Sequence, residues 1–297
     1  MPLNHRIAFV TCAHLPAVHG DDQLVVDALE RRGFEVTAAA WNDPRVDWRL
    51  FASVVIRAAW DYHLDEAGYA AWLRQCAMQQ VRLWNPAAAV LANLDKRYLR
   101  DLAAAGVEIV PIAYVQRGAS QSLRTLLERR QWTRAVVKPA VSASAYGTWR
   151  TSLATADTDQ AKFDEDAARR SLLVQPFADE IVESGEWSVV FFDGEYSHAV
   201  LKKPASGDFR VQEELGGRAE PRDPPLAIVE QTRQLLARAA GPLLYVRVDG
   251  IERDGRFLLM ELEINEPFLY LGSSSTAAER FADAIGRRTA ETERMQR

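Results

Sequence analysis

The stretch GRFLLMELEINEPFLYLG, Gly255 to Gly272, sets Glu261, Glu263, Asn265 and Glu266 among the leucines and phenylalanines of a buried strand. Side chains of a pleated strand alternate between faces, so Glu261, Glu263 and Asn265 share one face while Leu262 and Ile264 point to the other. Oxygen-bearing groups this close raise one another's pKa and are costly in apolar surroundings unless a cation compensates them. A hard divalent metal does so, and magnesium favours one or two carboxylates together with phosphate oxygens of a substrate. The alternative is a solvent-facing strand with one polar side. VRVDG places Arg247 and Asp249 on one face of a strand that reads as the hairpin neighbour, so Asp249 lies across from Glu261 or Glu263. A guanidinium and several carboxylates then meet on one sheet face.

The chain of 297 residues is long enough for two or three compact units. Hydrophobic residues at 48%, charged residues at 26% and eight tryptophans exclude a disordered chain. A net charge of -5 without a basic block excludes nucleic acid and an anionic membrane surface as partners. Cys12 and Cys76 lack zinc-ligand spacing and suit free, buried thiols in a reducing compartment. The first apolar run, about seven residues, is too short to span a bilayer and has no signal-cleavage pattern, so a cytoplasmic location is expected.

RIAFVTC, DDQLVVDALERRGFEVTAAAW and SVVIRAAWDY read as strand, helix ending at Gly33, strand and strand, the alternation of a parallel α/β unit. DEAGYAAWLRQCAMQQ is a helix, and VRLWNP is a short strand stopped by Asn85-Pro86. LDKRYLRDLAAAGVEIVP predicts a helix from near Asp95 to Gly106 and a strand ending at Pro111. RAVVKPAVSASAYGTWR gives a strand, a loop of small residues and another strand, and SLLVQPFADEI a strand broken at Pro176. EWSVVFFDGEYSHAVLKKP is a hairpin turned at Asp193-Gly194, and DFRVQEELGGRAEPRDPP reads as a mobile loop. A helix, the acidic hairpin and a last amphipathic helix through Phe281 and Ile285 complete the chain.

No G-x-x-x-x-G-K-[ST] and no G-x-G-x-x-G after a strand is present, so a nucleotide must be held another way. Lys138 ends the strand AVVKP and is followed by small residues closing on Gly147-Thr148. Small side chains let backbone N–H groups of Ser142, Ser144, Gly147 and Thr148 approach phosphate oxygens, and the lysine adds a point charge. An ordinary β-hairpin loop is the competing reading. Lys96, at a helix start, can aim a second charge at the same phosphates or be a solvated surface lysine. With Arg247, Asp249 and the acidic strand, these groups are equipment for phosphoryl transfer. The attacking oxygen is then the substrate's own carboxylate, and Arg247 stabilises charge in the transition state and in an acyl phosphate. RAAWDYH puts Arg57, Trp60, Asp61 and Tyr62 at the carboxyl end of a strand, where open α/β sheets place ligands. There Arg57 can hold a second substrate carboxylate and Asp61 an amine, or the aromatics merely pack a domain boundary. His198 and His63 can act as bases or be ordinary polar residues.

Taken in chain order, Lys96, Lys138 with its loop, the LVQPF strand, Glu186 in GEWS, Arg210, Arg247-x-Asp249 and Glu263-x-Asn265 resemble the ATP-grasp superfamily. Within it the chain resembles the glutathione-synthetase-like ligases. WDY, VVKPAVSASAYGT and YSHAVLKKP are most similar to the branch containing the D-cycloserine ligase. The resemblance runs from about Val54 to Leu271. It implies an ATP-grasp fold of mixed α/β and α+β class. A Rossmann-like pre-ATP-grasp domain would span 1–93, a small lid subdomain 94–178 and a C-terminal α+β subdomain 179–297. It further implies ATP held between the last two, Mg²⁺, and ligation of a small-molecule carboxylate to an amine through an acyl phosphate, between two molecules or within one.

By the same resemblance Lys96 and Lys138 contact ATP phosphates, Gln175 and Phe177 lie by the adenine, and Glu186 or Glu180 holds the ribose. Lys202 or Lys203, with Arg210, adds cations around the triphosphate. Arg247, Arg210 and Lys138 would act on the transferred group. Asp249, Glu261, Glu263 and Asn265 form the metal set, with Glu263 and Asn265 as the favoured register and Glu261 as a third group. Related ligases are often dimers or tetramers, so a dimer is expected. The loop departs from the pattern in having alanines and serines where many relatives have glycine. The rival readings are a phosphotransferase that stops at the phosphorylated product and a regulatory protein that grips ATP without turning it over. The many charges expected around the γ-phosphate argue against the second.

Overall fold

Three sheets organise the chain, and the computed structural model describes residues 5–143, 145–211, 215–239 and 241–295. The first sheet is parallel, with β1 (Arg6–Thr11), β2 (Glu35–Ala40), β3 (Ser53–Ile56) and β4 (Leu83–Trp84) in the order β2-β1-β3-β4. Alternation along β1 sorts its side chains into two cores. Ile7 and Phe9 join Val25 and Leu29 of α1 (Gly20–Glu30), while Ala8 and Val10 join Tyr69 and Leu73 of α2 (Glu66–Met78). Both faces are thus covered, as a parallel sheet requires.

α3 (Ala87–Asn93) and α4 (Tyr98–Ala104) lead to the second sheet. α4 begins later than the expected Asp95, whose carboxylate instead accepts the Arg97 N–H at 2.8 Å. The strand expected to end at Pro111 is not formed. That segment makes a single bridge, Ile109 to Leu259, and the regular strand is β5 (Ala113–Val115), beyond the proline that cannot donate to a ladder. β5, β6 (Arg134–Pro139), β7 (Trp149–Ser152) and β8 (Leu172–Pro176) pair antiparallel in the order β5-β8-β6-β7. α5 (Leu123–Arg130) and α6 (Ala156–Arg169) cover this sheet through Leu127 and Phe163, packed with Val137 and Val174.

After α7 (Glu180–Glu183) comes the third sheet, antiparallel, of β9 (Glu186–Phe192), β10 (Glu195–Lys203), β11 (Arg218–Pro221), β12 (Tyr245–Arg253) and β13 (Arg256–Glu263). Its order is β11-β10-β9-β12-β13. Asp193 and Gly194 turn the first hairpin with φ of 52° and 83°, the left-handed pair that tight hairpins need. The stretch expected to be a mobile loop contains β11, an edge strand on β10 that stops at Pro221. Gln212 to Glu214 of that stretch lie outside the described residues. α8 (Leu226–Ala239) packs one face of the sheet through Ile228 and Leu235.

α9 (Ala277–Met295) is wedged between the first and third sheets. Its Phe281 stacks on Phe192 at 4.6 Å and shares a core with Ile7, Phe9 and Leu29. Asn85 joins the same two sheets. It is fully buried, donates to the carbonyls of Tyr245 at 2.8 Å and Ile264 at 2.7 Å, and accepts the Leu244 N–H at 2.7 Å. No described helix is long and apolar enough to cross a membrane.

Candidate active site

One face of the third sheet changes character along its length. Phe192, Val190 and Tyr245 at one end enter the core under α9, whereas Ser188, Glu186, Arg247, Asp249, Glu261 and Glu263 follow at the other in the same alternation. Arg247 pairs across the hairpin with Glu263, and Asp249 with Glu261. Next to that pairing the ladder carries a bulge at Asp249/Gly250, where a Cβ on Gly250 would lie 2.5 Å from the Leu258 carbonyl oxygen.

The protein's own cations hold this acidic face. The buried Arg247 guanidinium reaches Asp249 and Glu263, each at 2.8 Å, and donates to the Phe268 carbonyl at 2.8 Å. Lys202 Nζ lies 2.6 Å from Glu186 and 3.4 Å from Asp249, and Lys96 Nζ lies 3.1 Å from Glu261. Lys96 also donates to the Ser142 carbonyl at 2.8 Å, and Ser188 Oγ donates to Asp249. Burial alone would raise the Asp249 carboxyl, but Arg247 and Lys202 bring it down to about 2. Burial likewise works against Glu261, yet Lys96 and Lys138 keep it below its ordinary value. For Glu263 burial prevails over Arg247, aided by Glu261 and Asp249, and its pKa rises to about 7. Glu266, raised by burial and then by Glu263, reaches about 8.

These side chains open onto a cleft of about 370 Å³ between the sheets. Val136, Lys138, Gln175 and Phe177 line it from the second sheet and the turn after it, with Ser142 and Thr148 from the small-residue loop. Lys96, Glu186, Arg210 and the acidic hairpin with Asn265 form the opposite wall, and Trp60 and Tyr62 reach it from the first unit. Burial pushes the Lys138 ammonium below its ordinary value. Among the described residues Lys138 has no hydrogen-bond or ion-pair partner. Arg210 is held by Asp208 at 2.8 Å.

Five expected residues are not placed at the cleft. Arg57 is buried against Asp22 at 3.1 Å, donates to the Pro267 carbonyl at 2.9 Å and lies over the Tyr245 ring, so its charge is already satisfied. Asp61 accepts the Trp41 indole N–H at 2.7 Å and faces His14. Lys203 is exposed on the far side of β10, since alternation turns Lys202 inward opposite Glu186. Glu180 pairs with Arg253 at 2.5 Å. Gly147, with φ of 69°, turns the loop but does not line it. Ser144 lies outside the described residues. Neither histidine considered as a base lines the cleft; His198 contacts Ser197 Oγ at 2.9 Å and the Leu269 carbonyl at 2.8 Å. Residues that sequence reasoning missed also line it, among them His19, Glu266, Phe268 and Tyr270. All but His19 follow the acidic strand, where strict alternation no longer applies.

The donor set can be tested against a metal. Among the described residues no group of three or more His, Cys, Asp or Glu is gathered to hold one unaided. The available donors are oxygens, which suit magnesium better than zinc or copper, and magnesium takes few protein ligands beside phosphate. Asn265 accepts the Tyr69 hydroxyl at 2.6 Å, while its buried Nδ2 has no partner. Turning that amide over keeps a bond to Tyr69, with the hydroxyl now accepting, and brings Oδ1 to the unsatisfied position. Gln175 Nε2 is likewise buried without a partner, beside Phe177. The residues present therefore fit a magnesium nucleotide.

The structure of the ATP-grasp ligase PsnB with minimal precursor, Mg and ADP matches with a TM-score of 0.66 at 15% identity, covering 97% of this chain and 99% of that one. At that identity the likeness establishes the fold. Three sheets around a cleft rich in lysine, arginine and carboxylate, together with the two relatives that follow, identify an ATP-grasp enzyme, an ATP-dependent ligase forming carbon–nitrogen bonds. The cycloserine biosynthesis protein DcsG of Streptomyces lavendulae is 31% identical over 298 residues, covering 95% of this chain and 98% of its own. The crystal structure of D-cycloserine synthetase DcsG matches with a TM-score of 0.84 at 30% identity, covering 96% and 99%. A family model for the D-cycloserine synthetase DcsG N-terminal domain matches residues 7–85. The chain belongs to the DcsG family of ATP-grasp ligases.

Proposed function

We propose that this chain closes a ring. On this reading the carboxylate of a small amino-acid-like molecule becomes an acyl phosphate at the expense of ATP, and a nitrogen of the same molecule captures it. The observation that carries the reading is the unpartnered Lys138 facing, across one cleft, Lys96, Lys202 and Arg247 on an acidic hairpin. The relative's name supplies the class of product, D-cycloserine, whose ring contains an amide bond to a nitrogen carried on oxygen.

The substrate carboxylate oxygen attacks the γ-phosphorus, the bond to the bridging oxygen breaks and ADP leaves. The nitrogen then attacks the activated carbonyl, phosphate departs and the nitrogen loses a proton. Lys138 and Lys96 bind the phosphates, Gln175 and Phe177 flank the adenine, and Glu186 takes the ribose, with Ser142 and Thr148 offering backbone contacts. Asp249, Glu261, Glu263 and Asn265 would hold magnesium, which supplies charge neutralisation of the transferred phosphoryl group. Arg247, on the same cleft wall, would donate to the acyl phosphate. Lys202 pairs with both Glu186 and Asp249. The division into 1–93, 94–178 and 179–297 rests on the three sheets, with α9 crossing back to the first, and a dimer is the proposed assembly.

The test is ADP release from Mg-ATP across a panel of ureido and hydroxamate derivatives of amino acids, singly and paired with amines. Release with one compound alone, with label from its carboxylate oxygen appearing in inorganic phosphate, supports ring closure. Release without such label points to a simple phosphotransferase. Folded Glu263→Gln and Lys138→Ala proteins that retain full turnover would overturn the site assignment.

A further inference from the structure

Every carboxylate on the cleft wall has a cation or a donor of its own except one. Glu186 has Lys202, Asp249 has Arg247, Lys202 and Ser188, Glu261 has Lys96, and Glu263 has Arg247. Glu266 lines the same cleft and is only 8% exposed. Apart from its own backbone N–H, nothing among the described residues donates to its side chain, and no cation stands within ion-pair distance. A carboxylate removed this far from water without a partner is costly, and the cost is met when a bound cation completes the site.

The surroundings say which cation. Glu266 lies on the loop that follows β13, beyond ion-pair reach of Lys96, and its backbone carbonyl accepts the Trp60 indole N–H at 3.0 Å. Trp60 contacts His19 edge-on at 5.2 Å, His19 contacts Phe268 at 5.3 Å, and Phe268 contacts Tyr270 at 4.8 Å, so aromatic rings form a continuous wall. All four rings line the cleft. Glu266 opens onto the same cleft as these rings, and a carboxylate together with aromatic rings is the chemistry that receives an organic ammonium, since the rings attract the cation and the carboxylate takes its N–H donors. A strongly hydrated metal ion would prefer the oxygen set on β13.

We propose that Glu266 binds the primary ammonium group of the substrate and fixes the orientation in which its carboxylate meets ATP. The role that the sequence suggested for Asp61 thus falls to a residue on the other side of the cleft. This inference rests on the amino-acid-like substrate of the proposed function, and its test separates the two.

Wild-type and Glu266→Gln proteins, each loaded with Mg-ADP, are titrated calorimetrically with two matched pairs of probes. The first pair is D-cycloserine and isoxazolidin-3-one, the same ring without the amine; the second is D-alaninamide and propionamide. The wild type is expected to prefer the amine-bearing member by about ten- to a hundredfold, the range for one charge-assisted hydrogen bond in a desolvated site. The Glu266→Gln protein should lose that preference while binding Mg-ADP within about threefold of wild type, which also reports that it is folded. A preference retained in Glu266→Gln overturns the proposal. So does a wild type that favours neither amine, and so does a Glu266→Gln protein whose affinity for Mg-ADP falls tenfold or more, which would place Glu266 at the metal. Preference within the second pair without binding of either ring compound supports Glu266 as the ammonium site and refutes the D-cycloserine reading.

Discussion

Replacing Asn85 by alanine should weaken the protein far more than its place in a short strand suggests. The side chain bonds four backbone groups inside the protein, the carbonyls of Tyr245 and Ile264, the N–H of Leu244 and, at 3.4 Å, the N–H of Tyr245. Asn85→Ala leaves at least the Ile264 carbonyl and the Leu244 N–H without this partner, at about 1–3 kcal/mol for each unsatisfied buried group. Other bonds soften part of this, and a net loss of about 3–5 kcal/mol is expected. For a chain of this size that corresponds to a fall in Tm of about 6–10 °C. Because Ile264 lies between Glu263 and Asn265, the damage should reach the site, and Mg-ADP should protect the variant less than the wild type. Thermal scans at one fixed heating rate, with and without Mg-ADP, read both effects. Asn85→Asp keeps the acceptor but loses two donors and buries a charge, so it should be at least as unstable. A variant melting within about 2 °C of wild type, with equal protection, would refute the idea that this side chain joins the sheets.

Lys138→Ala should raise the KM for Mg-ATP by about tenfold or more, because among the described residues no other lysine or arginine on the cleft wall is unpaired, and initial-rate kinetics measure it. Lys202→Met leaves Glu186 and Asp249 short of a buried counter-charge, and a loss of about 3–5 kcal/mol should appear in urea unfolding. Gly250→Ala should fold poorly, since its Cβ would meet the Leu258 carbonyl at 2.5 Å, and soluble yield with circular dichroism will report it. The Glu263 and Glu266 pKa values, raised to about 7 and about 8, make the native state bind more protons than the unfolded chain. The stability they contribute is therefore present below the ordinary carboxyl range and lost as pH rises through 7 and 8. Without nucleotide, Tm should fall between about pH 5 and pH 8 and level off above it, and the fall should be shallower in Glu266→Gln.

Where alternation in a hairpin governs the site, the sequence was readable. Arg247, Asp249, Glu261 and Glu263 sit on one face because two strands keep a period of two up to their pairing, and Lys138 stands at a strand end as its context suggested. Lys202 and Lys203 could not be told apart, because β10 carries an irregularity between Tyr196 and His198 that resets which lysine turns inward. Arg57 and Asp61 looked like ligand groups because their partners, Asp22 and Trp41, lie far back in the chain. Glu266 follows the last regular residue of β13, so no periodicity assigned it a direction, and Asn85 read as a mere stop before proline.

The wedge formed by α9 has a consequence for how this chain folds. Ile7, Phe9 and Leu29 lie early in the sequence, yet the helix that seals one side of them, with Phe281 and Ile285, follows every described strand. Without α9 the face that the first sheet shares with α1 is only partly covered, and the contacts that close it are among the most distant in sequence that the fold contains. Sealing this core is thus a loop closure spanning most of the described residues, the kind of step that slows folding.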